Sequence, residues 1–510
     1  RKLDENRKRV SCDGERATLR YVGPVPPTSG LWLGVEWDNP ERGKHDGSHN
    51  GVQYFTCSHP TGGSFVRPAK VTFGVDFLTA VQQVYLINPE AVLSENVSVS
   101  CRKLDWAGVK DFQKLQSVVL SGFEVNGPGA AGEIRTTLYN VCWLDLSGTL
   151  LSRWEDVAAI TEQLDKLEGL QLHRNRLTLP SEPSVHSQAF CNLKTLALNQ
   201  CQLTWPQVQA HCATMWPQLE ELILEANDIT ELQRPEGVLQ SLKSLNLANN
   251  PLVEDTLLSI SALNRLEKLN LSTTGISVIR FEDAAPGEKT VMFPALTSLN
   301  LNNNNITEWF VVDELAKLSS LVRFSCQGNR LLSKDGNPNT ARQMVIAKLE
   351  QLVFLNNCTI ISDERRGAEL DYIKMFGEEW LKAGGPGQPN ADFIKQHPCY
   401  QKLIDKYGAP DESELKKPQP FALKNQLIKI TFLFPNDPDR KPIEKKLPAS
   451  MDVQKVKGLL HRMLKVPAAD LKLSYKTSKK AGVEFDIDND QKTLQFFSVE
   501  DGDRVLVRWS

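Results

Sequence analysis

The stretch LEELILEANDI, residues 219–229, carries the spacing that decides the fold. Leucine stands at its first, fourth and sixth positions, asparagine at the ninth and isoleucine at the eleventh. The same spacing returns in LKSLNLANNPL at 242–252 and in LTSLNLNNNNI at 296–306. Full copies keep this register from residue 167 to residue 331, and weaker copies precede and follow them. The chain is therefore built around a long internal repeat.

A repeat of this spacing with a period near 26 residues resembles the leucine-rich-repeat family. The resemblance implies a solenoid in which each coil has a short strand and a helical or irregular return, with the leucines stacked in one core. It also implies that the asparagine side chain bonds the backbone where each coil turns. Cys201 and Thr274 stand at that position as substitutes.

The strand positions between the leucines would face the concave side of this solenoid. They are mostly neutral and polar, with acids near the middle of the repeats and bases later, which suits a folded protein partner better than a polyanion. The alternative is a solvated scaffold that only spaces the two ends of the chain. The predicted protein-binding residues are Trp143, Glu221, Glu225, Lys268, Asn300 and Arg323.

The N-terminal block contains three short motifs in order: GLWLGVEWD at 30–38, GKHDG at 43–47 and GSFVRP at 63–68. Together they resemble the signature of the CAP-Gly family. The resemblance implies a small glycine-rich β-barrel that binds the acidic C-terminal tail of α-tubulin, which ends in an aromatic residue. One departure is His45, where the family usually has asparagine. Another is Pro27, in a region where the family often has an aromatic, so we expect a groove of altered shape.

The residue types in these motifs suit an acidic peptide with a terminal ring. Two glycines allow a tight loop, a lysine and an arginine offer charge to carboxylates, and two aromatics can floor a groove. Trp37 is expected in the core and Asp46 as a brace of the loop. Trp32 could instead be core, and Lys44 could be a solvated charge. The predicted peptide-binding residues are Trp32, Gly43, Lys44, His45, Gly47, Phe65 and Arg67.

The C-terminal segment alternates as strands around one amphipathic helix. We predict strands over 427–434, 445–447, 471–475 and 504–509, and a helix over 453–464. This order within about 85 residues resembles the ubiquitin-like family, with an unrelated α+β domain as the alternative. Before it, a helix over 362–381 would cap the solenoid, and a single short helix over 393–406 would lie in a linker.

The predicted fold class is thus multidomain: an all-β CAP-Gly barrel, an α/β leucine-rich-repeat solenoid and an α+β ubiquitin-like (β-grasp) domain. We place the barrel at 7–75 and the repeats with their cap helix at 95–382. The linker follows at 383–424, and the ubiquitin-like domain takes 425–510.

Composition and the lack of known motifs argue against several classes of function. The net charge of −3 argues against a dedicated nucleic-acid binder, and no apolar run is long enough to span a membrane. The ten cysteines form no C-x-x-C pair and have no zinc-like spacing with histidine, so we predict no metal site and a reducing compartment. Phosphate loops and catalytic signatures are also lacking, and we predict no enzyme, no catalytic residues and no cofactor.

CAP-Gly, leucine-rich repeats and a ubiquitin-like end, in this order, resemble the tubulin-folding cofactor E family over essentially the whole chain. The resemblance implies a cytoplasmic, cytoskeleton-associated chaperone that binds α-tubulin. It would promote heterodimer assembly and, with other tubulin-folding cofactors, heterodimer dissociation. The ubiquitin-like end would recruit another cofactor or a proteasome or ubiquitin receptor. Two rivals are a microtubule-associated adaptor, which the absence of sustained heptads disfavours, and a ubiquitin-pathway shuttle.

Overall fold

The computed structural model describes residues 8–87, 112–415 and 427–510. The chain divides into two compact units, residues 1–410 and 411–510. The first unit contains the barrel and the solenoid, and the second contains the β-grasp domain, so the predicted fold class is confirmed. The starts predicted for the repeats and for the ubiquitin-like domain, 95 and 425, lie outside the described residues.

The barrel is built on a four-stranded antiparallel sheet with one buried face. Leu33, Val35 and Trp37 alternate into its core, each 3% exposed or less. Residues of opposite parity on the same strand face away from that core, as a pleated strand requires. The sheet strands are Arg9–Cys12, Glu15–Gly23, Trp32–Trp37 and Gly63–Val66, with a small hairpin of Ser48–His49 and Val52–Gln53 and 3₁₀ turns at Pro40–Arg42 and Pro68–Lys70.

The solenoid is organised by a sheet of short strands, parallel except for the last pair. The central leucine of each coil lies in register with the next, as Leu222 does with Leu245, and these side chains are buried. In the described part of the chain the strands are Ser117–Val119, Trp143–Asp145, Gly169–Gln171, Thr195–Ala197, Glu221–Ile223, Ser244–Asn246, Lys268–Asn270, Ser298–Asn300, Arg323–Ser325, Phe354–Leu355 and Cys358–Thr359.

The returns between these strands are short helices or helical turns, which is what the repeat signature implies. α-Helical returns are Glu133–Thr137, Trp154–Thr161, Phe310–Leu315 and Pro338–Lys348. Tighter or wider turns are Pro183–Phe190, Gln207–Cys212, Ala213–Met215 and Glu254–Ala262, and a further 3₁₀ turn, Phe112–Lys114, precedes the first strand.

A ladder of buried asparagines joins successive coils. The Asn227 side-chain oxygen accepts hydrogen bonds from the backbone N–H groups of Cys201 (2.9 Å) and Leu203 (3.2 Å) in the preceding coil. Its amide nitrogen donates to the Leu198 carbonyl at 2.8 Å. The substitute Thr274 donates its hydroxyl to a backbone carbonyl at 2.7 Å. The role implied for this position is therefore confirmed.

The solenoid begins earlier than its repeat pattern shows. The helix Phe77–Gln82 and the turn Gln83–Ile87 place Phe77, Val81 and Tyr85 in the same core cluster as the leucines. A hydrophobic cover of this kind protects the first coil from solvent. This cover was not predicted, because no copy of the leucine repeat falls on the segment.

The barrel is docked on this first end of the solenoid. The strand Val75–Asp76 leaves the barrel and pairs with Val125–Gly127. The Arg16 guanidinium donates to the carbonyls of Gly122 (2.8 Å) and Gly148 (3.3 Å). Asp38, bonded to Arg9 within the barrel, also lies 3.5 Å from Arg176 of the solenoid. Backbone pairing and charge-assisted contacts thus fix barrel and repeats in one unit.

The far end of the solenoid is covered by four short helices: Ser362–Met375, Gly377–Lys382, Ala391–Gln396 and Tyr400–Tyr407. The single helices predicted over 362–381 and 393–406 are wrong in this respect. The first breaks at Phe376, whose backbone leaves the helical region. The second breaks before Pro398, because proline disfavours a helical residue ahead of it.

Part of the segment assigned to a linker packs onto this cap. Phe393, Tyr400 and Leu403 are buried in one cluster with Tyr372 and Trp380. These aromatic side chains bring the chain beyond residue 390 back against the cap helices, so at least residues 393–403 contribute to the hydrophobic core at this end.

The second unit is a five-stranded β-grasp sheet with one helix on its inner face. The helix Val453–Leu464 matches its prediction at both ends, and Asp452 caps it by accepting from the Lys455 N–H at 2.8 Å. The strands, in sheet order, are Ile443–Pro448, Leu427–Leu433, Arg504–Trp509, Leu471–Lys476 and Phe485–Ile487. The short α-helix Glu412–Leu415 and the 3₁₀ turn Ala468–Asp470 complete the described elements.

The asparagine ladder yields a stability prediction. Asn227→Ala should lower the free energy of unfolding of the solenoid by about 3 kcal/mol, because it leaves buried N–H and carbonyl groups without partners. Urea denaturation followed by circular dichroism measures this. The control is Asn192→Ala, an exposed residue with one bond to the Asp165 carbonyl, which should cost about 0.5 kcal/mol or less. Equal losses in the two variants would show that the ladder does not hold the coils.

Candidate peptide-binding groove

On the outer face of the barrel sheet, a row of three cross-strand neighbours has a glycine at its centre. Tyr21 lies opposite Gly34, and Gly34 lies opposite Phe65 on the next strand. A Cβ at Gly34 would lie 2.6 Å from the Phe55 ring, so only glycine lets that ring pack down onto the strand. The missing side chain creates the space in which an aromatic cluster assembles.

Phe65 is the centre of that cluster. Its ring centroid lies 4.9 Å from that of His45, 5.4 Å from Tyr54 and 5.7 Å from Phe55. The Tyr54 and Phe55 contacts are edge-to-face, the arrangement that aromatic quadrupoles favour. Phe65 remains half-buried, which leaves part of its ring open to a ligand.

The loop from Gly43 to Gly47 lies beside this cluster, with His45 against Phe65, and needs both glycines. A Cβ at Gly43 would lie 2.1 Å from the Thr61 carbonyl oxygen, and one at Gly47, where φ is +100°, would lie 1.9 Å from the Phe55 carbonyl oxygen. Asp46 accepts a hydrogen bond from the Ser48 N–H at 3.0 Å, and bonding from Ser48 lowers the pKa of Asp46. Its expected role as a brace is confirmed.

His45 takes part in the loop as a neutral ring. Its Nδ1 accepts from the Gly47 N–H at 3.0 Å, which requires that this nitrogen carry no proton. Burial lowers the pKa of His45 from its ordinary value of 6.5. At neutral pH the imidazole therefore fixes the loop through Nδ1 and keeps its Nε2–H as a donor.

Trp32 and Arg67 form a second stacked pair on the same face. The guanidinium carbon lies 3.7 Å from the Trp32 ring centroid, a close cation–π contact. Arg67 also donates to the carbonyls of Ser29 (3.0 Å) and Leu31 (3.2 Å). Trp32 is half-buried, whereas Trp37 fills the core at 3% exposure, as predicted for Trp37. Arg67 is thus held in place beside an accessible aromatic face.

Lys44 differs from Arg67 because its side chain is not held by hydrogen bonds or ion pairs to other described residues. Its side chain is exposed, and within residues 8–87, 112–415 and 427–510 it has no carboxylate partner. Its backbone N–H bonds the Gly63 carbonyl at 2.7 Å, so the stem is anchored while the ammonium is available.

The structure therefore groups six of the seven predicted residues into two neighbouring patches, and the exposed Lys44 lies on the loop of the first. Gly43, His45, Gly47 and Phe65 form one, and Trp32 with Arg67 forms the other. Since Phe65 and Arg67 are two residues apart on the chain, the patches are about 7 Å apart along one face.

Sequence reasoning left Tyr21, Tyr54 and Phe55 out of the predicted site, although their rings complete the cluster around Phe65. The Tyr54–Phe55 pair beside the glycine motifs was the signal that could have identified two of them.

The concave face of the solenoid is a second candidate surface. Glu221 is half-buried and Lys268 is exposed there. Glu225 accepts from the Asn246 amide at 2.9 Å, and Arg323 stacks on Phe354 with 4.0 Å from guanidinium carbon to ring centroid. The face therefore runs from acidic side chains in its middle coils to basic ones later.

Two residues predicted on this face are less available than their positions suggest. Trp143 is only 7% exposed because its indole lies over Gly169, where a Cβ would be 2.0 Å from the ring. Asn300 uses its side-chain oxygen to accept from the Asn302 N–H at 2.9 Å, which leaves its amide nitrogen for a partner.

Neither a metal centre nor a membrane span is found in the described ranges. Residues 8–87, 112–415 and 427–510 contain no group of three histidine, cysteine or acidic side chains placed to hold a metal ion. In the same ranges, every helix is too short or too polar to cross a bilayer.

Comparison with known proteins gives matches at both ends of the chain and over its whole length. The CAP-Gly domain family matches residues 6–71, and the ubiquitin-like domain family matches residues 432–508. Tubulin-specific chaperone E of Danio rerio is 59% identical over 99% of this chain and 98% of its own length. The Homo sapiens protein of the same name is 48% identical over 98% of each. A solution structure of the C-terminal ubiquitin-like domain of mouse tubulin-specific chaperone e is 55% identical, covering 17% of this chain and 88% of that one, with a TM-score of 0.16.

The geometry of His45 yields a pH prediction. A folded-state pKa below the ordinary value means that the loop is most stable when His45 is neutral, and that this contribution is lost as the pH falls through the lowered pKa. Affinity for an acidic peptide ending in tyrosine should be constant from pH 8 to 6.5 and then fall. Fluorescence anisotropy measures this above about pH 5, where the peptide's glutamates stay ionised.

His45→Asn is the matched variant, since an amide oxygen can accept from Gly47 at every pH. It should bind with little pH dependence over the same range. If the two proteins show the same decline, His45 does not control the loop.

Proposed function

The chain belongs to the tubulin-specific chaperone E family, which makes it a tubulin-folding cofactor, and we propose that it holds α-tubulin at two places. The barrel groove takes the acidic C-terminal tail, and the concave face of the solenoid contacts the folded body. In this proposal the protein promotes heterodimer assembly and, with other tubulin-folding cofactors, heterodimer dissociation.

The observation that carries the tail assignment is the placement of two cations around an open aromatic face. Phe65 and Trp32 are both half-buried, so a terminal ring can pack on them with modest reorganisation. Arg67 is fixed by two backbone bonds and offers its remaining donors to a carboxylate, while Lys44 is free to follow a run of glutamates. A tail that is both acidic and aromatic-ended uses both components.

The concave face supplies the second contact. Its acidic middle and basic later coils favour a folded partner of mixed charge over a uniform polyanion. Residues Glu221, Glu225, Lys268, Asn300 and Arg323 would carry this contact, with Trp143 supplying only the exposed edge of its ring.

Two-site binding gives a mechanism that needs no catalysis. Once the tail is held, the tubulin body is confined near the concave face, and the second contact forms at a high effective concentration. Two weak contacts then act as one firm one. In this proposal the protein is not an enzyme, needs no cofactor and works in the cytoplasm in association with the cytoskeleton. Its ubiquitin-like domain binds another cofactor or a proteasome or ubiquitin receptor.

The tail assignment is tested with synthetic α-tubulin tail peptides and the full chain. The peptide lacking its last aromatic residue should bind more weakly than the complete one. Lys44→Ala should weaken binding of the complete peptide by about 1–3 kcal/mol, because it removes a charge-assisted contact. Isothermal titration calorimetry measures both effects.

The control is Lys70→Ala, an exposed lysine of the same barrel that lies outside the groove. This variant should keep wild-type affinity within about 0.5 kcal/mol. Unchanged affinity in Lys44→Ala would remove Lys44 from the site, and indifference to the last ring would contradict the groove itself.

A further inference from the structure

The outer face of the β-grasp sheet in the second unit is rich in lysine and arginine. Its inner face packs on the helix through residues such as Phe432 and Val507, both fully buried. Strand parity places the neighbouring residues on the other side. Six cations stand there: Lys429, Lys446, Lys472, Lys476, Arg504 and Arg508.

These cations lie directly opposite one another across strands. Lys429 pairs with Lys446, Lys472 with Arg508, and Lys476 with Arg504. Like charges in directly opposed positions destabilise a sheet. Three such pairs on a single face are therefore a cost to folding that a bound anion would relieve.

Neighbouring acids neutralise only part of this charge. Lys429 lies 3.0 Å from Glu444, and Arg508 bonds Glu484. The other four cations are exposed and have no carboxylate partner in the described part of the chain. Two of the three opposed pairs thus keep one cation each without an ion pair, and the Lys476–Arg504 pair keeps two.

The centre of the face is apolar but covered. Leu506 stands between Arg504 and Arg508 on one strand, yet it is only 7% exposed. The stems of long basic side chains can cover such a residue while their charged ends reach water. Leu433, opposite Leu506 on the neighbouring strand, is half-buried, so the ligand meets a mainly cationic surface.

We propose that this outer sheet face binds a glutamate- or aspartate-rich segment of a partner protein. Carboxylates along an extended or helical segment can satisfy the free cations one by one. A nucleic acid fits less well, because the described strands present no aromatic ring on this face for base stacking. Unlike the barrel groove, this face requires neither a terminal ring nor a free C-terminus.

The test uses the full chain and a fluorescein-labelled polyglutamate peptide with an amidated C-terminus, at about 0.15 M salt, where distant charges are screened. The triple variant Lys472→Gln, Lys476→Gln, Arg504→Gln should weaken binding about tenfold, as expected for three exposed ion pairs. The matched control neutralises three exposed cations on and just after the helix: Lys455→Gln, Arg462→Gln, Lys465→Gln. The control should change binding less than about twofold.

A second readout separates binding from misfolding. Because like-charge repulsion is removed, the sheet-face triple variant should unfold at a temperature equal to or above that of the wild type, while the peptide affinity falls. Equal loss of affinity in the two triple variants, or loss on Lys44→Ala, would overturn the proposal, the latter by placing the peptide in the barrel groove. Tighter binding of a single-stranded oligonucleotide or of anionic lipid vesicles than of the peptide would overturn it as well.

Discussion

The pairing of Val75–Asp76 with Val125–Gly127 is the contact on which the first unit depends. It carries the chain out of the barrel directly into the solenoid, where Phe77 enters the leucine core. Arg16 adds hydrogen bonds to two backbone carbonyls of the solenoid. Barrel and repeats therefore share a boundary of backbone and charge-assisted bonds, and the groove and the concave face belong to one body.

Within the barrel, the shape of the groove follows from side chains that are absent. Gly34 admits the Phe55 ring, and Gly43 and Gly47 let the loop approach backbone carbonyls that any Cβ would strike. The rings gathered in this space surround Phe65, and His45 holds the loop through an unprotonated nitrogen. In the proposed tail binding, this backbone geometry would shape the site, and Lys44 and Arg67 would supply its charge.

Much of the fold could be predicted from the sequence because it depends on short repeating patterns and local motifs. The leucine register fixes the strands, and the helix Val453–Leu464 has a capping Asp452 and a clear apolar stripe. The motifs around Trp32, Lys44 and Arg67 identify the barrel. Other features depend on contacts distant in sequence and carry no pattern. Examples are the bonds of Arg16 to Gly122 and Gly148, and the burial of Trp143 over Gly169. Pro398 could have predicted the helix break, but apolar residues at helical spacing on both sides of it led to the prediction of a single helix.

The most direct test of the two-site account measures the affinity of intact α-tubulin for a chain in which the docking of barrel on solenoid is weakened. Arg16→Ala with Arg176→Ala removes the arginine contacts between barrel and solenoid, keeps the strand pairing and changes no residue of the candidate groove. Lys70→Ala with Arg265→Ala removes one exposed cation from each part and is the matched control. The account predicts that the docking variant binds the tail peptide like the wild type but binds α-tubulin more weakly than the control does. Equal affinity of the two variants for α-tubulin would contradict it.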